Sequence, residues 1–127
     1  MTGDDRLERG ARTREAIFGP GAPGGRGTQD LAPFFSRWVL ESVFGDIWSR
    51  PALGAKLRVL LTVVALAVLR QQPQLESYLR NALRVGWTRE ELVEVLVHLA
   101  PYAGVPAVHN ALDSLRAVLA EGDGGGR

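Results

Sequence analysis

Apolar residues recur every three to four positions along most of the chain from residue 31 onward, the spacing of one face of an α-helix. No segment alternates apolar and polar residues as a half-buried strand does. Arg37 and Glu41 lie four residues apart and are predicted to pair on a helix surface. The first apolar stripe, predicted to end at Gly45, consists of Leu31, Phe34, Phe35, Trp38, Val39 and Val43. The pattern predicts an all-α protein of about six helices.

The middle of the chain carries the most apolar segment. Ser49, ahead of Arg50 and Pro51, predicts a helix start, because proline is tolerated in the first turn. Residues 56–70 are apolar nearly all round and predict a central helix covered on all sides. A chain of 127 residues buries only about two-thirds of its unfolded surface and has difficulty covering such a helix alone. We therefore expect a closed, symmetric oligomer.

Helix boundaries are clearest in the C-terminal half. Pro73 opens a helix that runs to about Val85 and stops at Gly86. Thr88 and Glu91 have the spacing of a capping box and predict the start of the next helix. The segment 102–106 predicts a break or tight bend. The last helix has an apolar stripe of Val108, Leu112, Leu115 and Leu119.

The two ends of the chain are polar or rich in glycine. Residues 4–18 mix arginines and acids with a few apolar positions, which predicts a short, mostly solvated helix. Glycine and proline make up most of residues 19–30, which predicts a loop, and residues 122–127 are predicted to be a disordered tail. The length favours one domain over residues 1–127.

Composition excludes several classes of function. The chain has no cysteine, so disulfides, thiolate metal sites and thiol peroxidase chemistry are excluded. A net charge of +1, without a basic run, argues against nucleic acid as a partner. The longest apolar stretch, 59–69, is too short for a bilayer, and residues 1–15 hold no signal-peptide core. The two histidines have no metal-ligand spacing, so we expect no metal, no membrane and a cytoplasmic protein.

Four segments of the chain carry recognisable motifs: Leu7–Gly10 with Arg14–Gly19, Phe44–Pro51, Thr88–Leu92 and Tyr102–Ala107. Together they resemble the carboxymuconolactone decarboxylase family. The Tyr-Ala-Gly-Val-Pro and Gly-Asp-Ile-Trp-Ser-Arg-Pro segments are fairly specific as a pair, and the resemblance covers nearly the whole chain except the glycine tail. The resemblance implies an alkylhydroperoxidase D-like helical bundle, assembled as a homotrimer or homohexamer.

The resemblance also implies a reaction that uses no cofactor. The family's substrate is a small carboxylated butenolide from aromatic catabolism, and its lactone ring accepts the electrons that the departing carboxylate leaves behind. The protein must then orient carboxylates with a cation, donate to the developing oxyanion and protonate the dienolate. We expect these groups to project into a secluded, mostly apolar chamber between helices.

The sequence departs from the family in two places. The peroxidase branch uses a glutamate, a pair of cysteines and a histidine, and the matching positions are Val59, Gln71, Gln74 and Tyr78. The decarboxylase branch has His-Leu-Arg where this chain has Tyr78-Leu79-Arg80. An ordinary tyrosine has a pKa of about 10, so Tyr78 is better suited to donate a hydrogen bond than to deliver a proton. The substitution predicts a shifted substrate or reaction.

Two histidines are candidates for proton transfer. His98 lies one turn from Glu94 and from Tyr102, and a neighbouring carboxylate favours a protonated imidazole, which suits a general acid or base. The alternative is a histidine in the core or at a subunit seam. His109 and Asp113 are also one turn apart, with a local ion pair or a catalytic dyad as the two interpretations.

Three arginines are candidates for binding an anion. Arg50 is the first, because a guanidinium matches a carboxylate and stacks on indole, although it has Asp46 as an alternative partner. Arg58 enters an apolar helix, where a charge must be paired or face a cavity. For Arg80 the two interpretations are a similar anion-binding role and an exposed arginine on a helix face. The aromatic candidates for substrate contact, each with a core, interface or capping alternative, are Trp38, Trp48 and Tyr102.

The resulting hypotheses differ in class. The first is a cofactor-independent lyase or isomerase acting on a small anionic, oxygenated ring or lactone, with His98, Tyr78 and Arg58 as catalytic residues. The shift at Tyr78 points to specialised, polyketide-type metabolism. The second is a ligand-binding or accessory protein without turnover, and the third is a purely structural helical oligomer.

Overall fold

The computed structural model describes residues 3–20 and 30–125, and within those ranges all of its regular secondary structure is helical. This confirms the predicted all-α class. There are six longer helices and one four-residue helix. They are α1 (Gly3–Phe18), α2 (Pro33–Trp38, continuing as a π-helical segment over Val39–Trp48), α3 (Ala55–Val68), α4 (Gln72–Arg84), α5 (Arg89–His98), α6 (Ala100–Ala103) and α7 (Val105–Gly125). The chain divides into two compact units, Met1–Ala55 and Lys56–Arg127, and the single domain stays a prediction.

In the N-terminal unit, α1 packs on the π-helical segment at two glycines. A Cβ atom on Gly10 would overlap the backbone carbonyl of Leu40, and one on Gly45 would lie 2.6 Å from the carbonyl oxygen of Arg6. Both glycines are buried. The two helix backbones therefore approach more closely than side chains at these positions permit.

This packing overturns two predicted boundaries. The helix does not end at Gly45, because that glycine serves the close approach of α1 and the helix continues to Trp48. No helix starts at Ser49, which instead follows the last helical residue and donates its hydroxyl to the carbonyl of Gly45 one turn earlier. Residues 50–54 form turns and bends, and α3 begins at Ala55.

In the C-terminal unit the predicted boundaries hold. Helix α4 ends before Gly86, whose φ of 109° suits glycine, and the capping box is present, with Thr88 and Glu91 each bonding the other's backbone nitrogen. Gly104, with a φ of 95°, makes the predicted bend ahead of α7. The buried apolar positions lie on four helices and at the junction of α5 and α6. On α3, α4, α5 and α7 they are Val59, Val63, Ala67, Leu75, Leu79, Ala82, Leu92, Leu96, Ala107, Val108, Ala111, Leu115 and Val118, and at the junction Leu99 is buried.

Helices α4 and α7 are joined by polar contacts along their lengths. The side-chain amide of Gln72 donates to the carbonyl of Asn110 at 3.1 Å and to the hydroxyl of Ser114 at 3.4 Å. Further along both helices, Arg80 bonds Glu121. The two helices therefore run parallel to each other, and the contacts fix their register.

The sequence predicted a central helix covered on all sides. Within one chain, helix α3 is instead covered on one side and exposed on the other. Its inner positions are fully buried, but Leu57, Leu61 and Val68 on the opposite side are 40%, 49% and 44% exposed, and Leu69 just beyond the helix is also exposed. The 3.6-residue repeat explains this outcome, because a helix packed on one side leaves its other side in solvent.

At the ends of the chain, α1 forms as predicted, and most of the 19–30 loop, residues 21–29, lies outside the described residues. Helix α7 continues to Gly125, into the segment predicted to be a disordered tail, and residues 126–127 lie outside the description. Within the described residues, no helix has both the length and the apolar character needed to cross a membrane.

Candidate functional site

A well-connected polar cluster in the N-terminal unit centres on Asp46. Arg6 binds both carboxylate oxygens of Asp46, from Nε at 3.1 Å and from a terminal nitrogen at 2.7 Å. Arg9 donates to the same carboxylate at 3.2 Å and to the carbonyl of Gly45 at 2.6 Å. Ser42 accepts a longer bond from Arg6 at 3.4 Å. These contacts hold α1 on the π-helical segment.

The electrostatics of this cluster follow from the paired hydrogen bonds. The hydrogen bond from Arg6 has the largest effect and lowers the pKa of Asp46 below its ordinary value. Desolvation opposes it with the next largest effect, and the charges of Arg6 and Arg9 lower the pKa further. The same bond raises the pKa of Arg6. The carboxylate is thus already matched by two guanidinium groups, which suits a structural anchor.

Neither arginine was predicted from the sequence. Asp46 was considered only as a partner for Arg50, its neighbour in the same segment. The signal that could have found the cluster was the three-residue spacing of Arg6 and Arg9, which places both side chains on one face of α1.

In the C-terminal unit the structure brings His98 and Tyr102 together. Their ring centroids are 5.7 Å apart with an interplanar angle of 44°. His98 is the last residue of α5 and Tyr102 lies in α6, so the turn at Leu99 sets their separation. Both side chains are exposed in the single chain, Tyr102 to 77%. An exposed imidazole can exchange protons, but it lacks the seclusion that we expected.

Arg80 has a well-defined partner in Glu121. Its guanidinium binds the Glu121 carboxylate through two bonds of 2.7 Å, and Glu76 lies 3.8 Å away on the preceding turn. The bond to Arg80 lowers the pKa of Glu121, and the pKa of Arg80 is raised in turn. A substrate carboxylate would have to displace Glu121 to reach this guanidinium.

The remaining predicted residues occupy two different units. Arg58 on α3 and Tyr78 on α4 are half-buried members of the C-terminal unit. In the N-terminal unit, Trp48 is half-buried with its ring 5.6 Å from that of Phe44. Trp38 is exposed and stacks on Phe35, and Arg50 is exposed after the end of the helix.

His109 does not make the predicted local pair. Asp113 binds Arg116 at 3.3 Å, and among the described residues no ion pair joins it to His109. No cluster of three or more potential metal-binding side chains is found across residues 3–20 and 30–125.

Two concave features lie within the C-terminal unit. The larger, which we call the α5/α7 groove, has a volume of about 320 Å³ and is lined mainly by apolar side chains, with Arg89 and Arg116 among its lining residues. The smaller lies among apolar residues around Ala103 and has no room for a water molecule. None of the predicted catalytic residues lines either feature. The predicted side chains therefore meet in neither of these two hollows.

Comparison with known proteins identifies the family. Residues 33–117, more than half of the chain, match the model of the Carboxymuconolactone decarboxylase family. The chain belongs to this family. The matched segment contains every predicted site residue and excludes Arg6 and Arg9 of the N-terminal anchor.

Three relatives span much of the chain. The 4-carboxymuconolactone decarboxylase of Acinetobacter baylyi is 30% identical over 88% of this chain and 85% of its own length. An uncharacterized 15.0 kDa protein of Paracoccus denitrificans is 36% identical over 77% of this chain and 75% of its own length. A nitrosuccinic acid decarboxylase of Metarhizium robertsii is 32% identical over 58% of this chain and 52% of its own length. Two of these three relatives are named as decarboxylases, and their names give different substrates.

Proposed function

We propose that this chain is a cofactor-independent decarboxylase acting on a small anionic, oxygenated ring or lactone. The observation that carries the proposal is the 30% identity to a 4-carboxymuconolactone decarboxylase over 88% of the chain. The second decarboxylase relative acts on an acid with a different name, which supports a reaction type that is retained while the substrate changes. The absence of cysteine in the sequence excludes the thiol chemistry of a peroxidase.

The proposed decarboxylation needs an electron sink in the substrate, a hydrogen-bond donor and a general acid from the protein. The bond between the carboxylate carbon and the ring breaks, carbon dioxide leaves, and the electron pair enters the conjugated lactone to give a dienolate. A hydrogen-bond donor stabilises the charge on the lactone oxygen, and a proton delivered to the ring carbon completes the reaction. No external oxidant or reductant takes part.

Three side chains of the C-terminal unit are assigned to these steps. Tyr78, half-buried on α4, donates a hydrogen bond to the developing oxyanion. His98 protonates the dienolate, and Arg58, half-buried on an otherwise apolar helix, orients the substrate carboxylate. Tyr102 is assigned to substrate contact beside His98. Arg80 is left out of the chemistry because Glu121 already holds it.

The exposure of His98 and Tyr102 supports a site that is completed by assembly. Apolar side chains of α3 are also left in solvent in the single chain, and a homo-oligomer would cover them. We propose a homotrimer or homohexamer in which a neighbouring copy encloses the reacting groups. Arg50, Trp38 and Trp48 stay predictions as substrate contacts, as do a cytoplasmic location and a role in specialised metabolism.

The test is turnover by three proteins, wild type, Tyr78→Phe and His98→Asn, with carbon dioxide release measured from 4-carboxymuconolactone and related lactone acids. We expect each variant to lose at least about 100-fold in kcat, the lower range for a proton-transfer or oxyanion group. Ligand-induced thermal stabilisation should persist, because the substitutions spare most binding contacts. Arg12→Gln, an exposed change in α1, is the control and should keep full turnover.

The competing function is ligand binding without chemistry. Tyr78 in place of the family's proton-delivering histidine favours it. Thermal stabilisation by lactone acids without carbon dioxide release from any of them would establish that alternative and end the decarboxylase proposal.

A further inference from the structure

We propose that the α5/α7 groove is a second ligand site, distinct from the residues assigned to decarboxylation, and that it binds a small amphipathic carboxylate. Its floor is apolar and consists of Val93 from α5 with Leu112, Leu115 and Leu119 from α7. Leu115 is buried, and the other three are half-buried, so an apolar surface remains accessible to a ligand. The volume of about 320 Å³ lies near the lower bound of about 300 Å³ for small-molecule sites.

The charge of the groove decides the class of ligand. Both charged residues in its lining, Arg89 and Arg116, are cationic and exposed. The guanidinium of Arg89 forms no hydrogen bond or ion pair within the described part of the chain, and that of Arg116 forms only a single 3.3 Å bond, to Asp113. An exposed pair of this kind is weak and is readily exchanged for another carboxylate. A ligand with one anionic end and an apolar body matches both features.

The groove is also independent of the proposed catalysis. His98 and Tyr78 are absent from its lining, and Arg89 is at the opposite end of α5 from His98. The capping box uses the side chains of Thr88 and Glu91, so a change of the Arg89 side chain leaves the start of α5 intact. Groove variants can therefore be made without touching the residues assigned to decarboxylation.

The experiment titrates 4-phenylbutyrate into the full chain and follows backbone amide shifts by NMR, with 4-phenylbutanol as the uncharged analogue. We expect shifts centred on Val93, Leu112 and Leu119, and weaker binding of the alcohol. Arg89→Gln and Arg116→Gln should each weaken the binding of 4-phenylbutyrate by about threefold to fivefold, the effect of losing one exposed ion pair. Arg12→Gln should change nothing.

A steric variant gives a second, independent measurement. Ala120 lines the groove and is exposed, so Ala120→Trp should fill the groove without burying new polar atoms and should reduce binding at least tenfold. Ala117→Trp is the matched control, because Ala117 is exposed on α7 but does not line the groove. Circular dichroism melts of both variants check that the fold is kept.

Three outcomes would overturn the proposal. Acid and alcohol could bind equally well, the two tryptophan variants could bind alike, or the amide shifts could centre on Tyr78 and His98. The last outcome would assign the probe to the decarboxylation site. None of them bears on turnover of lactone acids, so failure here is distinguishable from failure of the proposed function.

Discussion

Arg6 and Asp46 are 40 residues apart in sequence and form a bidentate ion pair, in which one guanidinium binds both carboxylate oxygens. Arg9, one turn along α1, adds a third bond to the same carboxylate. Two nearby glycines let the helix backbones approach closely enough for these short contacts. The packing of α1 on the π-helical segment therefore depends both on the ion pairs of Asp46 and on the two glycines, which have no side chain to keep the backbones apart.

The first prediction concerns acid. The pKa of Asp46 is lowered in the folded chain, so its contribution to stability is complete above the ordinary pKa of an aspartate, about 4, and is lost as the pH falls through the lower folded value. Protection factors of the α1 amides, which correct the exchange rate for its intrinsic dependence on pH, should fall below about pH 4 in the wild type. In Asp46→Asn they should already be low at pH 7 and change less with acid.

Asp113→Asn is the control, since Asp113 also pairs with an arginine, Arg116, but on the surface of a single helix. Asp113→Asn should give the same α1 protection factors as the wild type at every pH. Identical acid profiles of wild type and Asp46→Asn would show that the anchor does not hold α1.

The second prediction concerns the glycine contact. In Gly10→Ala the new Cβ meets the backbone carbonyl of Leu40, which no rotamer change relieves, so α1 must shift. We expect a loss of about 1–3 kcal/mol in the free energy of unfolding, measured by urea denaturation. Gly54→Ala is matched in chemistry and has open space around its Cβ, so it should lie within about 0.5 kcal/mol of wild type. Equal effects of the two would contradict the close approach.

The third prediction concerns assembly. Leu61 on the outer side of α3 is half-exposed in the single chain, and we propose that a neighbouring copy covers it. Leu61→Glu should shift the protein to a monomer in analytical ultracentrifugation, because an unpaired carboxylate in an apolar interface is strongly unfavourable. Ala117→Glu, an exposed position on α7, should leave the mass unchanged. A wild-type monomer at micromolar concentration would exclude the oligomer.

The fourth prediction separates two roles of Arg80. If its guanidinium serves Glu121, then Arg80→Gln and Glu121→Gln should lower the melting temperature to a similar extent, and the double variant should lower it little further. Michaelis constants for lactone acids should stay within about twofold of wild type. A large rise in the Michaelis constant for Arg80→Gln alone would restore the substrate role that the sequence predicted.

Most helices were predictable because their signals are local. The capping box at Thr88 and Glu91 and the glycine stops at Gly86 and Gly104 depend on residues within a few positions, and all were found. The boundary at Gly45 was predicted wrongly for the same reason. A glycine that ends a helix and one that admits a crossing helix look alike in sequence, and α1 distinguishes them.

The sequence by itself determined the all-helical class, the family and the exclusion of thiol chemistry, because periodicity, motif order and the absence of cysteine are properties of the chain alone. Only the tertiary structure decided which charges pair between helices that are distant in sequence. Arg6 and Arg9 reached Asp46, and Arg80 reached Glu121, across about 40 residues. It also decided that His98 and Tyr102 are exposed in one chain. Partners of long side chains depend on how helices cross, and crossing is set by the packing of whole faces rather than by neighbours in sequence.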